Sequence, residues 1–116
     1  MIRIRLEQFR LMGEREFAVR MADLLAEQFP DAAELSRVEL LAGVRKQIVR
    51  AQRYSFSAEQ DIAVYVLTAW LLGEEFDTEL PAAGQILHSG DAPEVRATRL
   101  EEWTQALFDA LEEEDD

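Results

Sequence analysis

The chain has 116 residues and a net charge of −12, from 12 basic and 24 acidic side chains. It has no cysteine and one histidine, His88, which excludes disulfide scaffolds, thiolate metal sites, cysteine nucleophiles and any site built on two histidines. With 48% apolar residues, a chain of this size buries roughly two-thirds of its unfolded surface in one core, and its apolar runs fall far short of the ~20 residues of a membrane span.

The hydrophobic pattern predicts an all-α fold: a compact bundle of four main helices plus one or two short ones. It forms a single domain over residues 1–111 with an acidic tail at 112–116. A helical turn is expected around Leu6–Met12, with Gly13 as a break. The first main helix is expected over Glu14–Phe29, where Phe17, Met21, Leu24 and Leu25 share one face, and Pro30-Asp31 ends it. The second opens after Ser36, with Glu39 at capping-box spacing, and runs to Arg53 or Tyr54. Leu41, Val44, Ile48 and Ala51 are its expected inner stripe. The third is bounded by Ser57 with Gln60 three residues on, the same signal. Its stretch Ile62–Leu72 is apolar nearly all round, so it should lie at the centre of the fold with Leu67 and Trp70 in the core. The β-branched residues leave a strand open, but length and capping favour a helix. Gly73 suits the C-cap. After the irregular stretch Glu74–Pro81 comes a short helix over Ala82–His88, led by Pro81. Pro93 opens the last helix, with Asp91 and Glu94 at capping-box spacing. Leu100, Trp103, Leu107 and Leu111 line its inner face, and Glu112–Asp116 is read as a frayed tail.

Charge is unevenly placed. Residues 1–73 hold ten acids and ten bases, whereas residues 74–116 hold 14 acids against only Arg96 and Arg99. Such a surface repels phosphate backbones, so nucleic-acid binding is not expected. It favours a basic protein partner and salt-sensitive association, and it also serves solubility.

Few residues point to chemistry. His88, Ser89 and Asp91 have the types of a catalytic triad but sit in one turn, where neighbouring side chains do not converge. Glu74, Glu75, Asp77 and Glu79 lack the glycine-centred spacing of a calcium loop. No catalytic, cofactor-binding or metal-ligating residue is assigned, and no cofactor is expected. Lys46, Arg50 and Arg53 share a helix face, with Arg45 beside them. This stripe either docks the chain's own acidic loop or last helix, or receives an acidic partner. Phe76, an aromatic in an acidic loop, either folds inward or meets a partner. The candidate partner-binding set is therefore Glu74, Glu75, Phe76, Asp77 and Glu79 together with Lys46, Arg50 and Arg53.

The stretch Arg50–Val66, followed by Gly73-Glu74-Glu75-Phe76-Asp77 and Pro81-Ala82-Ala83-Gly84-Gln85-Ile86-Leu87, resembles small helical proteins encoded in bacterial type VI secretion clusters beside spike proteins (VgrG, PAAR) and toxic effectors. In that family an aromatic and a capping Ser or Thr precede an apolar helix. A Gly-x-x-Phe-Asp loop and a proline-led helix ending in Ile-Leu follow. Leu6, Gln8 and Phe9 before the first helix also fit. Many members have a tryptophan after the proline, where this chain has Ala82. The resemblance implies a cytoplasmic, non-enzymatic co-chaperone or adaptor that helps load an effector onto the spike through protein–protein contacts. A cytoplasmic immunity protein covering a cognate toxin is the alternative. Neither membrane attachment nor an export segment is expected, and the oligomeric state is open.

Overall fold

Helix α4, Glu59–Leu72, organises the molecule, because Ile62–Val66, Thr68 and Ala69 are all buried. A helix with no polar face can only be stable when it is surrounded. In the computed structural model, which describes residues 16–114, the other helices are α1 (Phe17–Gln28), α2 (Pro30–Glu34), α3 (Arg37–Arg53), α5 (Phe76–Glu79), α6 (Pro81–Leu87) and α7 (Pro93–Glu114). Among the described residues there is no strand, and no helix is long and apolar enough to cross a membrane. Helices α1, α3, α5 and α7 all pack on α4, α6 packs between α5 and α7, and α3 and α7 share no extended contact. The expected turn at Leu6–Met12 lies outside the described residues.

Helix α1 buries Ala18, Met21, Ala22, Leu24 and Leu25. It ends where Phe29 turns extended, the backbone state favoured before a proline. Pro30 does more than stop α1: it occupies the first turn of α2, which buries Ala32.

Helix α3 starts at the expected capping box. Ser36 Oγ accepts from the Glu39 N–H at 3.1 Å, and the Ser36 N–H reaches Glu39 Oε1 at 3.4 Å. Its buried stripe is Leu40, Val44, Gln47 and Ala51, with Leu41 and Ile48 half-buried beside it. The stripe is thus turned slightly from the expected one, because α3 packs on both α1 and α4. Its end carries a device that the composition hides. Ser55 adopts φ +70°, the Ser55 N–H bonds to the Gln52 carbonyl, and the Phe56 N–H bonds to the Ala51 carbonyl. This is a Schellman closure with serine where glycine is usual, and it delivers Phe56 into the core.

Two capping expectations are corrected. The N-cap of α4 is Ala58, with no side-chain cap; Ser57 stands one residue too early to reach the first turn. Likewise the Ala92 carbonyl receives the first N–H bonds of α7, while the Asp91 carboxylate goes to Arg99 at 2.7 Å. Leu67 and Trp70 are half-buried at the flank of α4 and not in its enclosed centre. Gly73 ends α4 at φ +116°, a region in which a side chain is strained.

Among the described residues, helix α7 is fully buried only as far as Thr104. Arg96, Ala97, Leu100 and Thr104 are buried, and beyond Thr104 no described residue is. Leu107 is half-buried and Leu111 is 47% exposed, so the inner face read from the sequence outlasts the core it was assigned to. The helix continues through Glu114, so the start of the acidic tail is helical and not frayed. Buried Arg96 ties this helix to α6: its Nε donates to the Asp91 carbonyl at 3.1 Å and its terminal nitrogen to the Leu87 carbonyl at 2.9 Å. Its guanidinium lies 4.9 Å from the Phe56 ring centre, a cation–π arrangement.

Candidate protein-interaction surface

The acidic loop and the basic stripe, two separate candidates in the sequence, meet one another. Gly73 turns the chain out of α4, and the single turn of α5 then folds against α3. Lys46 Nζ lies 3.2 Å from Glu74 Oε2. Arg50 donates to the Glu74 carbonyl and, at 2.9 Å, to Glu75 Oε1. Tyr54, one turn further along α3, donates its phenolic hydrogen to Asp77 Oδ2 at 2.7 Å. The side chains of Glu74 and Glu75 remain more than half exposed, so these ion pairs orient the loop more than they stabilise it.

This geometry corrects the proposed anchor. Phe76 is fully buried, its ring centre 5.0 Å from that of Tyr65, and it is unavailable to a partner. Phe76 packs on Tyr65 of α4, while Glu79, in the last position of the same turn, is exposed. Asp77 is half-buried and engaged by Tyr54. Of the candidate set, Lys46, Arg53, Glu74, Glu75 and Glu79 present surface.

The electrostatics follow the contacts. The Glu75 carboxylate raises the Arg50 pKa, outweighing partial desolvation. Burial, reinforced by the bond to Asp77, pushes the Tyr54 phenol up to about 12. Tyr65 is raised further, first by burial and then by the nearby Asp77 charge. The Tyr65 hydroxyl and Asp77 Oδ1 are both buried without a hydrogen-bond partner, so this is a tight polar seam at the edge of an aromatic cluster. On α4, burial raises Asp61, with Glu94 adding to it.

The residues of the nominal triad do not converge. His88 stands edge-on to Tyr54, with ring centres 5.4 Å apart. Ser89 Oγ lies 3.3 Å from Asp91 Oδ2, the oxygen that also receives Arg99. Among the described residues no group of three or more His, Asp or Glu side chains is arranged to hold a metal ion.

Sequence reasoning missed the outer face of α3. Val38 is 79% exposed and Val49 47%, on the side opposite the buried stripe. The signal was present in the spacing of Val38, Ala42 and Val49, masked by the basic residues between them. Comparison with family models, curated proteins and solved structures finds no match for the chain.

Proposed function

We propose that this chain is a non-enzymatic accessory protein of type VI secretion, a co-chaperone or adaptor that holds an effector, or the effector's own chaperone, for the VgrG/PAAR spike. The observation that carries this reading is the charge split: 14 acids against two bases after Gly73. Glu94, Glu101, Glu102 and Glu113 are exposed along α7. A long acidic helix with no described residue buried beyond Thr104 suits recruitment of a basic protein surface by electrostatic steering. The motifs behind the resemblance add support of a different kind. Gly73, Phe76, Asp77, Pro81, Ile86 and Leu87 are all used in shaping or packing the fold.

The test is a pull-down with tagged chain from the native cell, repeated with Glu101, Glu102 and Glu113 reversed to lysine. Capture of an effector, its chaperone or a spike component, weakened by the reversal and by salt, supports the adaptor reading. Deletion of the gene should then stop delivery of one effector while the secretion apparatus still fires. The same acidic surface also fits an immunity protein that covers the basic groove of a toxin. In that case the pull-down yields a toxin domain alone, and deletion makes the cell sensitive to it.

A further inference from the structure

The helices around α4 are joined in a chain of contacts that does not close. Helix α1 packs on α3, α3 is tied to α5 by Arg50 and Tyr54, α5 packs on α6, and α6 packs on α7. Among the described residues, α7 and α1 share no extended contact, so one side of α4 lies in a gap between them. Leu67 marks that side. It stands about 200° round the helix from Tyr65, the residue that meets Phe76 of α5, and it is half-buried. On the α1 edge of the gap, Trp70 and Phe29 are half-buried with ring centres 6.3 Å apart.

The α7 edge is acidic. Arg96 reaches the Leu87 carbonyl, which fixes the α6 side of α7. The side turned away from α6 carries Glu94, Glu101, Phe108 and Glu112. Asp61, near the start of α4, senses the charge of Glu94, so the two helices set out together. Helix α7 has 22 residues and α4 has 14, so α7 outruns α4 by about 12 Å.

We propose that residues 1–15 bind in this gap in cis, along the acidic edge of α7. The place where they join the fold is the first reason. Arg20 of α1 bonds to Glu59 at the start of α4 across 2.6 Å, and Phe29 lies beside Trp70 near its end. Helix α1 therefore runs in the same direction as α4, and the chain ahead of Glu16 enters at the mouth of the gap. Length is the second. Fifteen residues reach about 22 Å even at the short rise of a helix, as far as α4 itself extends. Chemistry is the third. Arg3, Arg5, Arg10 and Arg15 outnumber Glu7 and Glu14, while Ile2, Ile4, Leu6 and Phe9 supply apolar surface. Helix α7 holds seven acids against Arg96 and Arg99. Other bases of the fold are committed elsewhere, since Arg20, Arg37, Arg45, Lys46, Arg50 and Arg99 each pair with a carboxylate outside α7. Apolar side chains of the segment cover Leu67 and Phe108, and its arginines meet Glu101 and Glu112. A basic partner of the kind proposed above is then left Glu102 and Glu113 on the outer side of α7, and must displace the segment to reach Glu101. That consequence rests on the proposed function; the docking itself does not.

Paramagnetic broadening in the full chain tests the docking. The chain has no cysteine, so Gln8→Cys carries a single nitroxide. The label should broaden the amides of Glu101–Glu112 and those around Leu67 more strongly than those of α3 and α5. The pattern should survive tenfold dilution, and it should be missing when labelled chain is mixed with unlabelled, isotope-enriched chain. Glu101→Lys with Glu112→Lys should reduce the α7 broadening severalfold while helix content holds, because both positions are exposed. Adding Arg3→Glu and Arg5→Glu to that chain should restore it. Broadening that is spread evenly or favours α3 and α5, that appears in the mixed sample, or that ignores the charge reversals overturns the proposal. None of these readings involves an effector, so failure here leaves the proposed function standing.

Discussion

Tyr54 donates to Asp77 across 2.7 Å, and this bond joins the last turn of α3 to the single turn of α5. Its acceptor is half-buried, and the other carboxylate oxygen already lacks a partner. Tyr54→Phe should therefore destabilise the protein by about 1.5–3 kcal/mol, the range for a hydrogen bond to a charged group. Chemical denaturation of the two proteins measures the difference. Removing Lys46 or Arg50 contacts at the exposed end of the same loop should cost less, ~0–1 kcal/mol each.

Phe76→Ala should be far more damaging. The ring is fully enclosed and stacks obliquely on Tyr65, so truncation leaves a cavity under α5 and costs ~3–5 kcal/mol. Partner capture by whatever molecules remain folded should persist, which separates a core residue from an anchor.

Ser55→Gly should stabilise the chain. Serine at φ +70° sits where glycine is preferred, and relief of that strain, less the added freedom of the unfolded chain, is worth about 0.5–1 kcal/mol. Ser55→Val should do the opposite. Melting curves of the three chains give the order directly.

The tyrosines set a limit at high pH. Tyr54 ionises near 12 in the folded chain, against an ordinary value of 10.0, and Tyr65 is raised as well. A phenol held protonated by the fold contributes stability that is complete below pH 10 and is lost as pH rises toward the folded value. In an ultraviolet titration the folded chain should show no phenolate signal near pH 10. The signal should then appear together with loss of helix. In urea both tyrosines should titrate near 10.

Truncation after Leu111 should change stability by less than about 0.5 kcal/mol, since nothing described beyond Thr104 is buried. The melting temperature of the shortened chain is the check. The same truncation should slow association with a basic partner, because it removes five carboxylates.

Local signals in the sequence were read well where a few neighbouring residues decide the outcome. The Ser36–Glu39 box, the all-apolar run of α4, the stop at Gly73 and the prolines opening α6 and α7 are of this kind. What failed depended on which surfaces meet. Apolar periodicity in α7 continues to Leu111, yet no described residue beyond Thr104 is buried. Whether Phe76 points in or out rests on where α5 lands, which Tyr54 and Arg50 determine from more than 20 residues away. The docking of the basic stripe on the chain's own acidic loop, one of the two readings of that stripe, is met by Lys46 with Glu74 and Arg50 with Glu75. In the Schellman turn, Ser55 does a job that composition assigns to glycine.

The enclosure of α4 has a consequence for how the molecule opens. Since α1, α3, α5 and α7 all rest on it, its amides are covered from several sides at once. Fluctuations that expose amides should be confined to the outlying second half of α7 and the α5 turn. Exposing the amides of Val64–Ala69 requires opening of the whole chain. Hydrogen exchange in α4 thus reports global stability, while the second half of α7 can rearrange on a partner without disturbing the centre.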